Sequence, residues 1–80
     1  MPRYYFNVHD PSLVPDEVGI ELPDITAARK MAVAASGDAI SDLGEAFWAS
    51  GEWCLEVTDD AGAVQLALSF SASHCSVAPF

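Results

Sequence analysis

Basic side chains are the scarcest class in this sequence. Arg3, Arg29 and Lys30 stand against 12 Asp and Glu, which gives a formal charge of −9 over 80 residues. Direct binding to nucleic acid is disfavoured, because neutralising phosphates takes Lys and Arg in number. Long apolar runs are missing as well. No stretch approaches the roughly 20 residues of a membrane-spanning helix, and the start, Met1 to Asn7, turns polar before a signal-peptide core can form. These features predict a cytoplasmic protein that avoids membranes. Cysteine is limited to Cys54 and Cys75, too few for a disulfide framework and not arranged as C-x-x-C, so both are expected as reduced thiols.

Apolar residues, by contrast, make up 51% of the chain and charged ones 19%, which suits a buried core and not a disordered acidic tail. The length fits one domain, predicted over residues 1–71, with an aperiodic tail at 72–80.

Hydrophobic period then places the elements. Tyr4, Phe6 and Val8 alternate with Arg3, Tyr5, Asn7 and His9, the pattern of a half-buried strand. Asp10 to Glu17, with Pro11 and Pro15, reads as a loop. Val18, Ile20 and Leu22 form a second inward-facing set, short enough to pair with the first strand in a wide hairpin. Pro23 and Asp24 mark a helix start. From roughly 24 to 48, Ile25, Ala28, Ala32, Ala35, Ala39, Ile40, Leu43, Ala46 and Phe47 gather on one helical face, with a bend or early end expected near Gly44. Trp53, Leu55 and Val57 point inward from a third strand, and Val64, Leu66, Leu68 and Phe70 from a fourth. Asp59-Asp60-Ala61-Gly62 between them fits a turn closed by a left-handed glycine. The fold class predicted is α+β: a two-layer sandwich of order β-β-α-β-β, with a four-stranded, mainly antiparallel sheet and one helix on one face. Strand order stays open.

The start Met1-Pro2-Arg3-Tyr4-Tyr5-Phe6, the segment Gly19-Ile20-Glu21-Leu22-Pro23-Asp24 and the alanine-rich helix after it resemble a family of small uncharacterised bacterial proteins. The resemblance covers roughly residues 1–71. It implies the same order of elements and a bacterial, intracellular origin; as a domain of unknown function, the family supplies no catalytic residue.

Candidate sites lie mostly on the surface. Asp38, Asp42 and Glu45 fall within about 60° of one another on a helical wheel, away from the alanine stripe. Near a helix C-terminus they oppose the macrodipole, so local stability does not explain them. With Asp59 and Asp60 on the hairpin, and Asp10, Asp16 and Glu17 on the first loop, they form an acidic surface able to fill a basic groove. The bland alternative is that this charge only solvates. The uncovered sheet face carries Arg3, Tyr5, Asn7, His9, Glu21, Cys54, Glu56, Gln65, Ala67 and Ser69, among which Tyr5 and Glu56 are docking candidates. His9-Asp10, Cys54 and His74-Cys75 have no zinc-site spacing, and Asp59 to Gly62 lacks a calcium loop, so no metal and no cofactor is expected. No G-x-S-x-G elbow or phosphate loop is present, and no catalytic residue is assigned. A deep pocket around His9 and Cys54 would revive an enzyme or metal reading.

Trp53 has inward parity, and Trp48 is expected to fold inward if the helix ends at Gly44. Together these point to a small non-enzymatic binding protein whose acidic surface meets a basic protein, such as a nuclease or nucleic-acid-binding complex, as a phage-type inhibitor, anti-CRISPR or DNA mimic would. The alternative is a structural or regulatory domain that self-associates as a homodimer through the open sheet face or an edge strand.

Overall fold

The computed structural model describes residues 1–9 and 13–73. Its elements are β1 (Arg3–His9), β2 (Leu13–Val14), β3 (Ile20–Glu21), α1 (Ile25–Leu43), α2 (Glu45–Ser50), β4 (Glu52–Thr58) and β5 (Val64–Ser71). Every strand pairing is antiparallel, and the order is β2-β1-β4-β5, with β3 joining β1 beside β2. The fold is the expected α+β sandwich with β-β-α-β-β order. Its second strand is divided in two: β2 pairs with the end of β1 and β3 with its start. β2 lies in a stretch expected to be loop, because Val14 pairs with Val8 even though only two residues engage.

β4 is the centre of the sheet, with β1 on one side and β5 on the other. Its inward residues are therefore sealed from three directions: Trp53, Leu55 and Val57 are all buried, beneath α1 and α2. Burying side chains of this size contributes roughly 1.5–3 kcal/mol each. Trp53 also meets Phe70 of β5 edge to face, with ring centroids 5.8 Å apart. Tyr4 extends the core onto β1, where Phe6 and Val8 are half-buried.

Asp24 caps α1 as expected, its side chain accepting the Ala27 amide at 3.0 Å. The buried positions of α1 are Ala28, Ala32 and Ser36, one turn apart, and this small-residue row lets the helix lie close on β4 and β5. Ala35 and Ala46, expected on the core face, are exposed. Ser36 takes the buried place of Ala35, because it follows Ala32 by a full turn while Ala35 lies at the margin of the stripe. The Ser36 hydroxyl has no hydrogen-bond partner among the described residues.

The helix stops at Gly44, whose φ of 53° breaks the α geometry, and α2 restarts at Glu45. Phe47 then turns to the core and Trp48 does not: it is 50% exposed, contrary to expectation, since α2 has one inward side and Phe47 occupies it.

Three further inward assignments are corrected. Val18 is 76% exposed and Ile20 is exposed as well, because α1 packs on β4 and β5 and leaves the β3 edge uncovered. Val64 is 56% exposed for a different reason. A register shift at Thr58 makes Gln65 an extra residue, so Val64 pairs with Thr58 on the open face and not with the Val57 row. The tail is described only to Ser73; His74 and Cys75, like Asp10, lie outside the described residues.

Candidate functional site

The gap between β2 and β3 exposes the middle of β1, and one carboxylate closes it. Asp16 Oδ2 accepts the Phe6 amide at 3.2 Å, while Oδ1 accepts the amides of Val18 and Gly19, both at 3.0 Å. The Asp16 amide donates to Asn7 Oδ1 at 2.9 Å, and Asn7 Nδ2 donates to Thr58 Oγ1 at 3.2 Å, so the clasp is tied through to β4. Burial alone would raise the Asp16 pKa. The amides of Gly19, Phe6 and Val18, with the Arg3 charge, outweigh that and hold the carboxyl below its ordinary value. Asp16 was expected to be free acidic surface; here it substitutes for the missing residues of an edge strand. The signal was present as an Asp three residues before a Gly, the chemistry of an Asx turn.

Gly19 completes the clasp. Its φ is +71°, and a Cβ there would lie 2.8 Å from the Tyr5 ring and 2.9 Å from Arg3 Cγ. Arg3 in turn donates to the Val18 carbonyl at 2.7 Å and pairs with Glu21 at 3.4 Å.

Four of the proposed binding residues are engaged within the fold. Tyr5 donates its hydroxyl to Asp60 at 3.0 Å, a bond that raises the phenol's pKa above its ordinary value. Asp59 accepts the amides of Ala61 and Ala63 and the Gln65 side chain, each at 2.9 Å, and so holds the hairpin turn. Glu56 pairs with His9 at 3.2 Å. Asp38, Asp42 and Glu45 are exposed and make no side-chain hydrogen bond or ion pair among the described residues. The break at Gly44 separates them: Asp38 and Asp42 ride on α1, whereas Glu45 sits in the first turn of α2, where a carboxylate suits the helix dipole.

Beside the open face, a half-open cleft of about 350 Å³ is lined by His9, Glu52, Cys54, Ser69 and Ser71, among others. His9 and Cys54 face each other across β1 and β4. The imidazole is turned to Glu56, and Cys54 Sγ accepts the Ser69 hydroxyl at 3.7 Å. Among the described residues, no three His, Cys, Asp or Glu side chains converge as a metal site would require. No described helix is long and apolar enough to cross a membrane.

The remaining feature is the β5 edge. Among the described residues nothing pairs with its outer side. From Val64 to Ser71 the strand carries no charge and no proline. Between it and α1 runs a groove of about 300 Å³ lined by Arg29, Val33, Leu66, Ala67 and Leu68, with Lys30 adjoining Val33. Val33 is 63% exposed.

These features define a small two-layer α+β domain with one clasped sheet edge and one open edge. A family described as "Domain of unknown function (DUF6894)" matches residues 3–71, and the chain belongs to it. The resemblance carried by the Met1–Phe6 start and the Gly19–Asp24 segment is thus borne out. No curated protein and no solved structure matches the chain.

Proposed function

We propose that the protein is a non-catalytic binding module that engages a protein partner by accepting an extended segment along β5. The observation that carries this reading is the uncharged β5 edge, unpaired among the described residues, beside an apolar groove. Natural sheets blunt their edges with charge, proline, bulges or short strands, and the β2 and β3 edge has charge at Asp16 and Glu21, proline at Pro15 and two strands of only two residues each. At β5 only the bulge at Gln65 is used, and it leaves Leu66 to Ser71 regular. The test is a selection of short displayed peptides against the full chain, mapped by backbone amide NMR shifts. Binders that shift β5 amides are expected; binders that shift only other elements would overturn the reading.

A second reading, favoured by the exposure of Asp38, Asp42 and Glu45, is that this face meets a basic, nucleic-acid-binding protein in the manner of a DNA-mimicking inhibitor of the anti-CRISPR kind. A screen of candidate nucleases across a salt series tests it. Affinity should fall with salt and with Asp38→Asn, Asp42→Asn and Glu45→Gln; binding indifferent to those changes rules it out.

A further inference from the structure

We infer that the β5 groove is selective for an acidic extended segment of another protein, over a second copy of this chain. The inference rests on the β5-edge reading above and adds the chemistry of the occupant.

The groove holds one of the chain's few cations, Arg29, with Lys30 next to it on α1. Of three basic residues, Arg3 is committed to Val18 and Glu21 at the opposite edge. Arg29 and Lys30 are exposed and make no ion pair among the described residues; Arg29 lines the β5 groove with Val33, and Lys30 lines the adjoining α1 surface with Val33 and Ala34. A strand added to β5 would place alternate side chains beneath this flank of α1. Apolar residues there would meet Val33, Leu66 and Leu68, and an Asp or Glu between them would reach Arg29 or Lys30.

The acidic residues further along α1 are too distant to cancel this local charge. Asp38 lies eight to nine residues further along α1, about 12–14 Å at the helical rise, beyond the roughly 8 Å screening length at physiological salt. Asp24, about 7.5 Å from Arg29 at the helical rise, keeps its charge while its carboxylate is turned to the Ala27 amide at the helix start, and Asp59 is turned to the hairpin.

A second copy fits poorly. Arg29 stands over Leu66 to Leu68, the middle of β5. Antiparallel pairing of two β5 strands about a twofold axis there would bring two Arg29 guanidiniums together. β5 itself offers no carboxylate in return.

The experiment uses a random short-peptide library displayed against the full chain, then repeats the selection with Arg29→Gln/Lys30→Gln and with Arg29→Glu/Lys30→Glu. These side chains are exposed, and amide spectra verify that both variants fold. Wild type should select alternating apolar and acidic residues that shift β5 amides. The Gln pair should weaken those peptides about tenfold, as expected for two exposed ion pairs, and the Glu pair should select Lys and Arg instead. Peptides that occupy β5 with no acidic preference, or with affinity unchanged in the Gln pair, overturn the inference and leave the edge reading standing. Peptides that never touch β5 overturn the edge reading itself. Concentration-dependent dimerisation in light scattering, with β5 amides shifting, identifies a second copy as the occupant and also overturns the inference.

Discussion

At one edge of the sheet, β1 is flanked by two strands of two residues each and a carboxylate that takes up the amide between them. At the other, β5 runs on to Ser71 with no described neighbour and no charged side chain. The first edge spends an acid, a glycine and an arginine on satisfying itself; the second leaves its backbone groups to water or to a partner. The contrast teaches that much of the acidic charge near the hairpin and first loop, at Asp16, Asp59 and Asp60, is internal wiring, while the long edge strand β5 carries no charge at all.

Removing the clasp should have the largest effect. Asp16→Ala leaves three amides without their acceptor, one of them in the half-buried middle of β1. We expect a loss of about 3 kcal/mol, since a hydrogen bond to a charged group contributes roughly 1.5–3 kcal/mol and the three share one carboxylate. Urea unfolding midpoints measure it, and a loss below about 1 kcal/mol would break the comparison.

Acid should act on the same group. The Asp16 pKa is lower in the folded chain than its ordinary value near 3.8, so its contribution is complete above that value and is lost as pH falls through the lower, folded pKa. Unfolding followed below about pH 4 should show an acid-dependent loss that is smaller in Asp16→Asn, the group that titrates being gone.

Gly19→Ala comes next, at about 2 kcal/mol, from a positive φ and a Cβ that must displace the Tyr5 ring. Near-normal stability there would mean that the clasp tolerates rearrangement. The smallest effect belongs to the open edge: Ala67→Lys, on an exposed position of β5, should change stability by less than about 0.5 kcal/mol. A thermal melt suffices to check it, and a large loss would show β5 to be covered.

How much of this was legible from the sequence differs by edge. The alternation of Trp53, Leu55 and Val57 with polar neighbours reads directly as a central strand, because burial on one face is what fixes that period. The clasped edge was read as a loop followed by a strand, since its pairing is carried by Asp16 and Asn7 side chains, which leave no hydrophobic period. Val64 misled because a bulge shifts parity by one residue while the apolar alternation of the sequence continues unbroken. Ser36 is absent from the apolar stripe because it is polar, although its helical angle lies nearer the core than that of Ala35. Of the candidate site, the exposure of Asp38, Asp42 and Glu45 was foreseeable from the wheel. The Arg29 flank was not, because strand order alone decides that β5 is the edge beside it.

Amide hydrogen exchange on the full chain tests the asymmetry of the two edges most directly. The amides of Phe6, Val18 and Gly19 should be protected, and from Leu66 to Ser71 protected amides facing β4 should alternate with fast-exchanging ones facing outward. Uniform protection along β5, or rapid exchange at Phe6, would contradict it.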